Sequence, residues 1–290
     1  MRADYHLHSE FSDDSRELME DQIKQGIAIG LDEMCFTDHV DYGIKRDWDD
    51  PLGIEWRDGD NDQGEKDPVA NVNYPEYFDT LFCLQVQYEN EISVKAGLEF
   101  GIQSHTVTQF QRLYDKYKHK LDFILFSMHQ VEDKEFWTGE FQEGRTQDEY
   151  NRKYYEEILK TMQMYKDYSV LAHLDMIVRY DKNGVYPFEK VKDIIAAILE
   201  QAIRDDKGIE INTSSWKYGL SDTQPSRAIL RLYKDLGGKI LTVGSDAHKK
   251  EFLGSHFDDA FAILKDDCVK IGLNRKSLIE SRFRGAVLFL

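Results

Sequence analysis

Residues 121–130 read LDFILFSMHQ, a short apolar run that ends at a histidine, His129. The central Phe-Ile-Leu-Phe is apolar at every position, which is typical of a strand buried on both faces of a parallel sheet. Imidazole is both a common metal ligand and a common buried side chain, so His129 alone has no assigned role. The fold and the site depend on whether other segments repeat this pattern.

Six further segments repeat it, and longer helical patterns lie between most of them. The predicted strands are ADYHLH (3–8), EMCFTDH (33–39), SVKAGLEFG (93–101), LDFILFSMHQ (121–130), YSVLAHLD (168–175), KGIEINTS (207–214) and KILTVGSDAH (239–248). Predicted helices include ELMEDQIKQGIAIG (17–30), PEYFDTLFCLQVQYEN (75–90), DEYNRKYYEEILKTMQMY (148–165), FEKVKDIIAAILEQAIRD (188–205) and SRAILRLYKDLG (226–237). This alternation predicts a parallel sheet, either open and doubly wound or closed into a barrel.

The residues at the ends of these runs favour the barrel. Nearly every predicted strand ends in side chains that can bind a metal, namely His6, His8, His39, Glu99, His129, His173, Asp246 and His248, with Asn212 after the sixth strand. The carboxyl ends of parallel strands meet on one face of a barrel, whereas in an open sheet they lie along a line. We therefore predict an α/β fold in which seven strands form a barrel and these side chains converge.

Length and charge narrow the classes of function. The chain has 290 residues, of which 41% are hydrophobic, and this suits one barrel domain over residues 1–290. Its net charge is −17, from 37 basic and 54 acidic residues, and such a surface repels a phosphate backbone. We therefore expect no nucleic-acid partner. An anionic substrate would need local positive charge from metal ions or a few arginines.

The sequence shows no pattern of export or membrane insertion. No apolar run approaches about 18 residues, and no signal pattern is present at the start. Cys35, Cys83 and Cys268 are far apart and form no CxxC motif, so we expect buried free thiols in a reducing compartment. These patterns predict a cytoplasmic protein without a membrane partner. They do not indicate an oligomeric state.

Residues 41–74 interrupt the alternation of strands and helices. This segment includes DWDDPLGIEWRDGDNDQGEKDP (47–68), which is rich in Asp, Gly, Pro and Trp. A loop of this length in a compact domain is usually functional or disordered. Because it follows the second predicted strand, it emerges on the face that carries the metal-capable side chains. We interpret it as an insert that forms a partial lid, with a decorative surface insert as the alternative.

The distribution of histidines predicts a metal site. His6 and His8 are two residues apart in a predicted strand, so both can face one ion. Each histidine taken singly also fits a buried core residue. Of the nine histidines, however, six lie at predicted strand ends, where Glu99 and Asp246 join them. Because this set exceeds the ligands that one ion takes, we predict at least two ions, with a carboxylate such as Glu99 as a bridge.

Six ordered motifs make the chain similar to a known family. They are DYHLHSEFSDDS (4–15), CFTDHVDYG (35–43), GLEFG (97–101), SMHQV (127–131), AHLDMI (172–177) and GSDAH (244–248). Together they resemble the polymerase-and-histidinol-phosphatase superfamily and, within it, the histidinol-phosphate phosphatase family. The resemblance extends from Asp4 to about His256. It implies a single-domain, distorted seven-stranded (β/α)7 TIM-like barrel with a trinuclear metal site.

The resemblance also implies how the ligands divide among two to three divalent ions. One ion would take His6, His8, Glu99 and Asp246, a second would share Glu99 and add His129 and His173, and a third would take His39, His248 and Asp14. Many relatives have histidine where this chain has Asp14, which makes the third site richer in oxygen, and Asp13 is the alternative ligand. Zinc, manganese and iron all suit imidazole and carboxylate ligands.

The activity that the resemblance implies is hydrolysis of L-histidinol phosphate to L-histidinol and phosphate, a step of histidine biosynthesis. Clustered cations suit this reaction because they activate a water as hydroxide and neutralise charge on the phosphoryl group. Asp246 and His248 are the candidate catalytic residues. Arg179 and Arg145 follow the fifth and fourth predicted strands and are candidates for binding the substrate phosphate. A solvated or salt-bridged arginine is the alternative for each.

Two other functions stay open at this point. A nuclease, or a phosphoesterase for a nucleotide or another metabolite, fits the superfamily, although the net charge of −17 disfavours it. A non-catalytic metal-binding barrel would enclose its ions completely in protein ligands. The acidic loop around Asp41, Asp47 and Asp49 can attract the cationic nitrogen of histidinol phosphate, although such loops are usually solvated surface.

Overall fold

The structure is a computed structural model, and it describes residues 2–58 and 66–268. Its central strands are β1 (Ala3–Leu7), β2 (Glu33–Phe36), β3 (Ser93–Gly101), β4 (Phe123–Ser127), β5 (Val170–Leu171), β6 (Gly208–Asn212) and β7 (Leu241–Gly244). Each strand pairs in parallel with the next one along the chain, from β1 to β7. The seven predicted strands are therefore confirmed.

The two edges of this sheet meet and nearly close the barrel. Leu7 and Ala247 form a parallel bridge, and the amide of His8 donates to the carbonyl of Ala247 at 3.0 Å. The amide of Asp246 donates to the carbonyl of His6 at 2.8 Å. The sequence-based choice of a distorted (β/α)7 barrel over an open sheet is thus confirmed, and all the strands end on one face.

Helices cover the outside of the barrel. They are α1 (Met19–Ala28), α2 (Tyr74–Gln87), α3 (Val107–Tyr117), α4 (Gln147–Met164), α5 (Lys192–Arg204), α6 (Arg227–Asp235) and α7 (Phe257–Cys268). Apolar residues at helical spacing face the strands, as in α5, where Ile194, Ile198 and Ala202 are buried. Thr146 and Glu149 form a capping box that fixes the start of α4. In the part of the chain that the structure describes, no helix is long and apolar enough to cross a bilayer.

The core strands carry buried residues on both faces. All five residues of β4 are buried, as its apolar run predicts. Beyond β2, a two-residue strand at His39–Val40 pairs with the end of β3 and places His39 beside Glu99. β5 is shorter than predicted because the chain turns after Leu171 and then forms a 3-10 helix at Met176–Tyr180, which carries Arg179. These ends of the strands hold the candidate site.

Two features differ from the sequence-based expectations. Helix α3, at residues 107–117, is absent from the helices predicted from the sequence, although it buries Phe110, Leu113 and Tyr117 at helical spacing. Cys83 was expected to be buried, but it lies on the exposed side of α2, whereas Cys35 in β2 is a buried free thiol. The side chain of Cys268 lies outside the described residues.

The 41–74 insert is partly folded. Its strands Glu55–Asp58 and Lys66–Val69 pair antiparallel, and residues between them lie outside the description. Lys45 and Arg57 from this insert line the cavity at the ends of the barrel strands. The predicted domain, residues 1–290, also includes a C-terminal segment after 268 that is not described.

Candidate metal centre

Glu99, at the end of β3, is the centre of the site. It is fully buried, and its two carboxylate oxygens face different histidines. Oε2 lies 3.2 Å from Nε2 of His6, 3.4 Å from Nε2 of His8 and 2.9 Å from Nδ1 of His39. A carboxylate surrounded by imidazole nitrogens in this way suits the role of a metal ligand.

The other oxygen of Glu99 faces a second group of histidines. Oε1 lies 3.1 Å from Nε2 of His129, at the end of β4, and 2.8 Å from Nε2 of His173, after β5. The hydroxyl of Ser127 donates to the same oxygen at 2.6 Å, which fixes the rotamer of the carboxylate. The histidines of β4 and β5 therefore share Glu99 with those of β1.

Asp246 completes the group of ligands on the β1 side. Its Oδ1 lies 3.5 Å from Nε2 of His6 and 3.4 Å from Nε2 of His8. Asp246 adopts a positive φ of 54°, a conformation that non-glycine residues rarely hold and that clusters at functional sites. The first predicted set of four ligands is thus gathered within one small volume.

Asp14 lies with the third predicted set. Its Oδ2 is 3.1 Å from Nε2 of His248 and 3.5 Å from Nε2 of His39. The imidazoles of His39 and His248 both stack on that of His8, at centroid distances of 4.1 and 4.2 Å. Asp13, the alternative in the sequence analysis, points elsewhere and pairs with Lys45 at 2.7 Å. Asp14, His39 and His248 therefore lie together, and the side chain of Asp14 is the most exposed of the three.

Several ligand atoms in this cluster are buried without a hydrogen-bond partner in the described structure. They are Nε2 of His6, Nε2 of His8, Nδ1 of His39 and Oε2 of Glu99. Buried polar atoms are nearly always satisfied, so four orphans at one place indicate a missing ligand. Triplets of His, Asp and Glu atoms lie within 4.8 Å of one another here, as ligands of one ion do. The residues present therefore fit divalent metal ions.

The electrostatics of the cluster also favour divalent metal ions. Burial lowers the pKa of His129, but the carboxylates of Glu99 and Asp41 outweigh it and raise that pKa to about 9. Burial and the nearby His39 and His248 hold the pKa of His8 well below its usual range. The carboxylates of the site attract cations, and the imidazole of His8 is held in its neutral form, which is the form that binds metals.

Glu210 was not predicted from the sequence, although its carboxylate contacts two of the candidate ligands, His6 and His173. Glu210, in β6, is buried, and its Oε1 lies 2.7 Å from Nδ1 of His6. Its Oε2 accepts from the amide of His173 at 3.0 Å. A carboxylate on the far nitrogen fixes the tautomer and orientation of a ligating histidine. The signal was present as a lone acidic residue in GIEIN, between the buried Ile209 and Ile211.

Lys45 of the insert joins two parts of the centre. Its buried ammonium lies 2.7 Å from Oδ1 of Asp13 and 2.9 Å from Oδ2 of Asp41. Asp41 in turn is 2.7 Å from Nδ1 of His129. Lys45 thus links the loop that carries Asp14 to the carboxylate that orients His129.

Replacing Lys45 by methionine should weaken metal binding by about ten- to a hundredfold, the usual effect of losing a partner that orients a ligand. The change removes the cation that Asp13 and Asp41 share, and leaves two buried carboxylates without it. Metal titration of the apoprotein measures the effect. Lys24→Met, which removes an exposed helix ion pair, is the matched control and should leave the affinity unchanged. Equal affinities for the two variants would contradict the linking role of Lys45.

The two predicted arginines have different places. Arg179 is buried and lines the cavity, where Nη1 lies 3.2 Å from Oδ2 of Asp246. It also donates to Ser214 at 2.8 Å and to Gln224, and it lies over the ring of Tyr218, 4.5 Å from its centroid. These contacts fix the guanidinium beside the metal ligands.

Arg145 is not brought to the site, and the expectation that it lies at the ligand face needs correction. Its guanidinium lies 2.8 Å from the carboxylate of Glu132, donates to the carbonyl of Phe141 and packs over the Phe141 ring. It is not among the described residues that line the cavity. The loop after β4 turns back to start α4, and this carries Arg145 to a salt bridge near the surface.

The cavity above the ligands has a volume of about 260 Å³. Aromatic side chains of Trp137, Tyr180 and Tyr218 form part of its wall, with Arg179 and Lys45 as cations. Among the acidic loop residues, the carboxylate of Asp47 accepts hydrogen bonds from the hydroxyl groups of Tyr42 and Tyr74. Asp41 lines the cavity, whereas Asp47 and Asp49 are not among its lining residues.

Comparisons with known proteins agree with this geometry. The PHP domain family matches residues 4–214. A histidinol-phosphatase of Lactococcus lactis subsp. lactis is 32% identical over 96% of this chain and 99% of its own length. A probable histidinol-phosphatase of Thermotoga maritima is 29% identical over 97% of this chain and 99% of its own length.

A solved structure has the same fold and carries ligands. It is the crystal structure of a histidinol phosphate phosphatase from Lactococcus lactis subsp. lactis, complexed with zinc, L-histidinol and phosphate. It aligns with a TM-score of 0.76 and 30% identity, covering 92% of this chain and 94% of that one. The sequence motifs, the nearly closed barrel and these matches confirm the resemblance found in the sequence, and the chain belongs to the PHP domain family.

Proposed function

We propose that this protein is a metal-dependent phosphomonoesterase that hydrolyses L-histidinol phosphate to L-histidinol and phosphate. The observation that carries the proposal is the group of ligand-type side chains around Glu99 at the carboxyl ends of the barrel strands. The Lactococcus lactis relative with the same fold holds zinc, L-histidinol and phosphate, which supports both the metal and the substrate. A cavity of about 260 Å³ lies over this cluster, which is the scale of a site for a small ligand.

We propose two to three divalent ions, of which zinc is supported by the relative. The first would take His6, His8, Glu99 and Asp246, the second Glu99, His129 and His173, and the third Asp14, His39 and His248. When bound, such ions supply a deprotonated water at neutral pH and withdraw charge from the phosphoryl oxygens. Manganese and iron suit the same ligands and are the alternatives to zinc.

Residues of the chain have separate tasks in this reaction. Asp246 accepts from Arg179, so its second oxygen is held while the first faces His6 and His8. The guanidinium of Arg179, fixed at the cavity wall, offers a planar donor to a phosphate oxygen. His248 lies at the more exposed edge of the cluster, where a proton can reach the leaving alkoxide from solvent.

When the phosphate ester is cleaved, the leaving alkoxide needs a proton to become an alcohol. We propose that this proton comes from solvent at the more exposed edge of the cluster, where His248, one of the two candidate catalytic residues, would hold the third ion. Asp246, the other, would hold the first ion together with His6 and His8. The 41–74 insert contributes Lys45 and Arg57 to the cavity wall, and we propose that it forms a partial lid within one domain over residues 1–290.

A substrate panel tests the proposal directly. The purified protein, supplied with zinc or manganese, is assayed for phosphate release from L-histidinol phosphate, from p-nitrophenyl phosphate and from nucleoside monophosphates, and for nucleotide release from single-stranded DNA. We expect the highest kcat/KM with L-histidinol phosphate and no release of nucleotides from DNA. A preference for DNA would favour the nuclease alternative, and a metal-loaded protein that is inert on all of them would favour a non-catalytic metal-binding role.

A further inference from the structure

A short hairpin beside the metal ligands carries a carboxylate into the cavity. Directly after His129, the two-residue strand Gln130–Val131 pairs antiparallel with Lys134–Glu135, which places Glu135 opposite Gln130. Glu132 and Asp133 form the turn with φ values of 58° and 55°, the conformation of a tight two-residue hairpin. The position of Glu135 is therefore fixed relative to His129.

The turn of this hairpin is anchored on both sides. Asp133 accepts from Nε2 of Gln103 at 2.7 Å, and its amide donates to Oε1 of the same glutamine at 2.9 Å. Glu132 pairs with Arg145 at 2.8 Å and with Lys153. A side chain on such a rigid element is positioned before a ligand arrives, which lowers the entropic cost of binding.

Glu135 differs from the other acids of the cavity because it is unpaired. The remaining carboxylates that line the cavity all have partners: Asp13, Asp14, Asp41, Glu99 and Asp246 pair with lysine, arginine or histidine. The carboxylate of Glu135 has no hydrogen bond or ion pair with any residue in ranges 2–58 and 66–268.

The charges that face Glu135 are already balanced. The same cavity is lined by two cations, Lys45 and Arg57, and two anions, Asp13 and Asp41, whose charges act on Glu135. Lys45 lies between both anions, and Arg57 is 3.5 Å from Asp13. Glu135 therefore adds a negative charge that no neighbouring cation neutralises. Burial of its carboxyl group raises its pKa, and the nearby cations do not fully offset this effect.

An aromatic side chain stands next to this negative charge. Trp137 lines the same cavity two residues after Glu135, and its ring is half exposed. Its ring centroid is 6.1 Å from that of Tyr180 on the opposite segment. A carboxylate beside exposed aromatic faces is the usual environment for a cationic nitrogen or an imidazole.

We propose that Glu135 is a specificity-determining residue that binds the ammonium group of the substrate, with Trp137 packing against its imidazole. This inference rests on the proposed function. In L-histidinol phosphate the ammonium is on the carbon next to the phosphorylated CH2 group. A phosphate held at the metal cluster therefore leaves the ammonium within the same cavity, near its walls.

The test compares two substrates that differ only in the ammonium group. Glu135→Gln keeps the size of the side chain and removes its charge. It is assayed with L-histidinol phosphate and with the deamino analogue, in which hydrogen replaces the amino group. With L-histidinol phosphate we expect kcat/KM to fall about ten- to a hundredfold, mainly through KM, as for loss of a charged hydrogen bond. With the deamino analogue it should change less than about twofold.

The matched control is Glu140→Gln, which removes an exposed carboxylate shortly after the same hairpin and does not line the cavity. It should leave both substrates unaffected. Hydrolysis of p-nitrophenyl phosphate shows that each variant is folded and metal-loaded. An equal loss on both substrates, or no loss with L-histidinol phosphate, would overturn the role of Glu135 and leave the proposed function intact. A wild-type protein inactive on L-histidinol phosphate would overturn the proposed function and this inference together.

Discussion

Replacing Glu99 by glutamine should lower kcat for phosphate release by about 1,000-fold or more, the scale expected when a group that supports the transition state directly is lost. The variant should also bind fewer metal ions per chain. Glutamine keeps the size of the side chain but removes the charge on both oxygens, which face His6 and His39 on one side and His129 and His173 on the other. Glu210 also contacts His6 and His173, but it accepts from the backbone amide of His173, whereas Glu99 faces imidazole nitrogens of both groups.

Elemental analysis of the purified variant, together with phosphate release from L-histidinol phosphate, measures this effect. Glu91→Gln is the matched control, because Glu91 is exposed just before β3 and lies on the same segment as Glu99. Thermal unfolding of both variants separates a loss of ligation from a loss of fold. A folded Glu99→Gln protein with normal metal content and normal kcat would contradict the central position of Glu99.

Arg179→Ala and Arg145→Ala should behave very differently, although the sequence offers both as phosphate ligands. We expect Arg179→Ala to raise KM strongly and to lower kcat/KM by about 100- to 1,000-fold, while the metals stay bound. Its guanidinium is fixed at the cavity wall by Asp246, Ser214 and Gln224. Arg145→Ala should stay close to wild type, because its partners are Glu132 and Phe141 outside the cavity.

Steady-state kinetics of the two alanine variants, with metal content measured on the same samples, decide this comparison. Arg179→Lys should restore little of the activity, since an ammonium does not replace a planar guanidinium that binds several partners. Unchanged kinetics in Arg179→Ala would remove Arg179 from the substrate site. A large loss in Arg145→Ala would show that the loop after β4 approaches the substrate.

The barrel and its ligand-bearing face could be predicted from the sequence because two signals coincide. Runs such as the one in β4 are apolar at every position, and parallel strands impose one direction on all of them. Polar residues that directly follow such runs must then share one face. His6 and His129 both lie beside Glu99 for this reason, and Asp246 lies beside His6, although long stretches of chain separate them.

The supporting residues could not be predicted in the same way. Glu210 lies inside an apolar strand, and its role depends on the strand next to it, which only the closed barrel reveals. Lys45 and Asp13 belong to irregular loops, where no periodicity fixes the direction of a side chain. Arg145 follows β4 in sequence, but the capped start of α4 leads its loop away from the cavity.

Elemental analysis coupled to phosphate release from L-histidinol phosphate tests whether the Glu99 cluster is a catalytic metal centre, on the protein as purified, after chelation and after metal is added back. We predict at least two equivalents of divalent metal per chain. Phosphate release should disappear when the ions are removed and return when zinc or manganese is restored. Hydrolysis that continues unchanged in protein without metal would contradict the assignment of the Glu99 cluster as the catalytic centre.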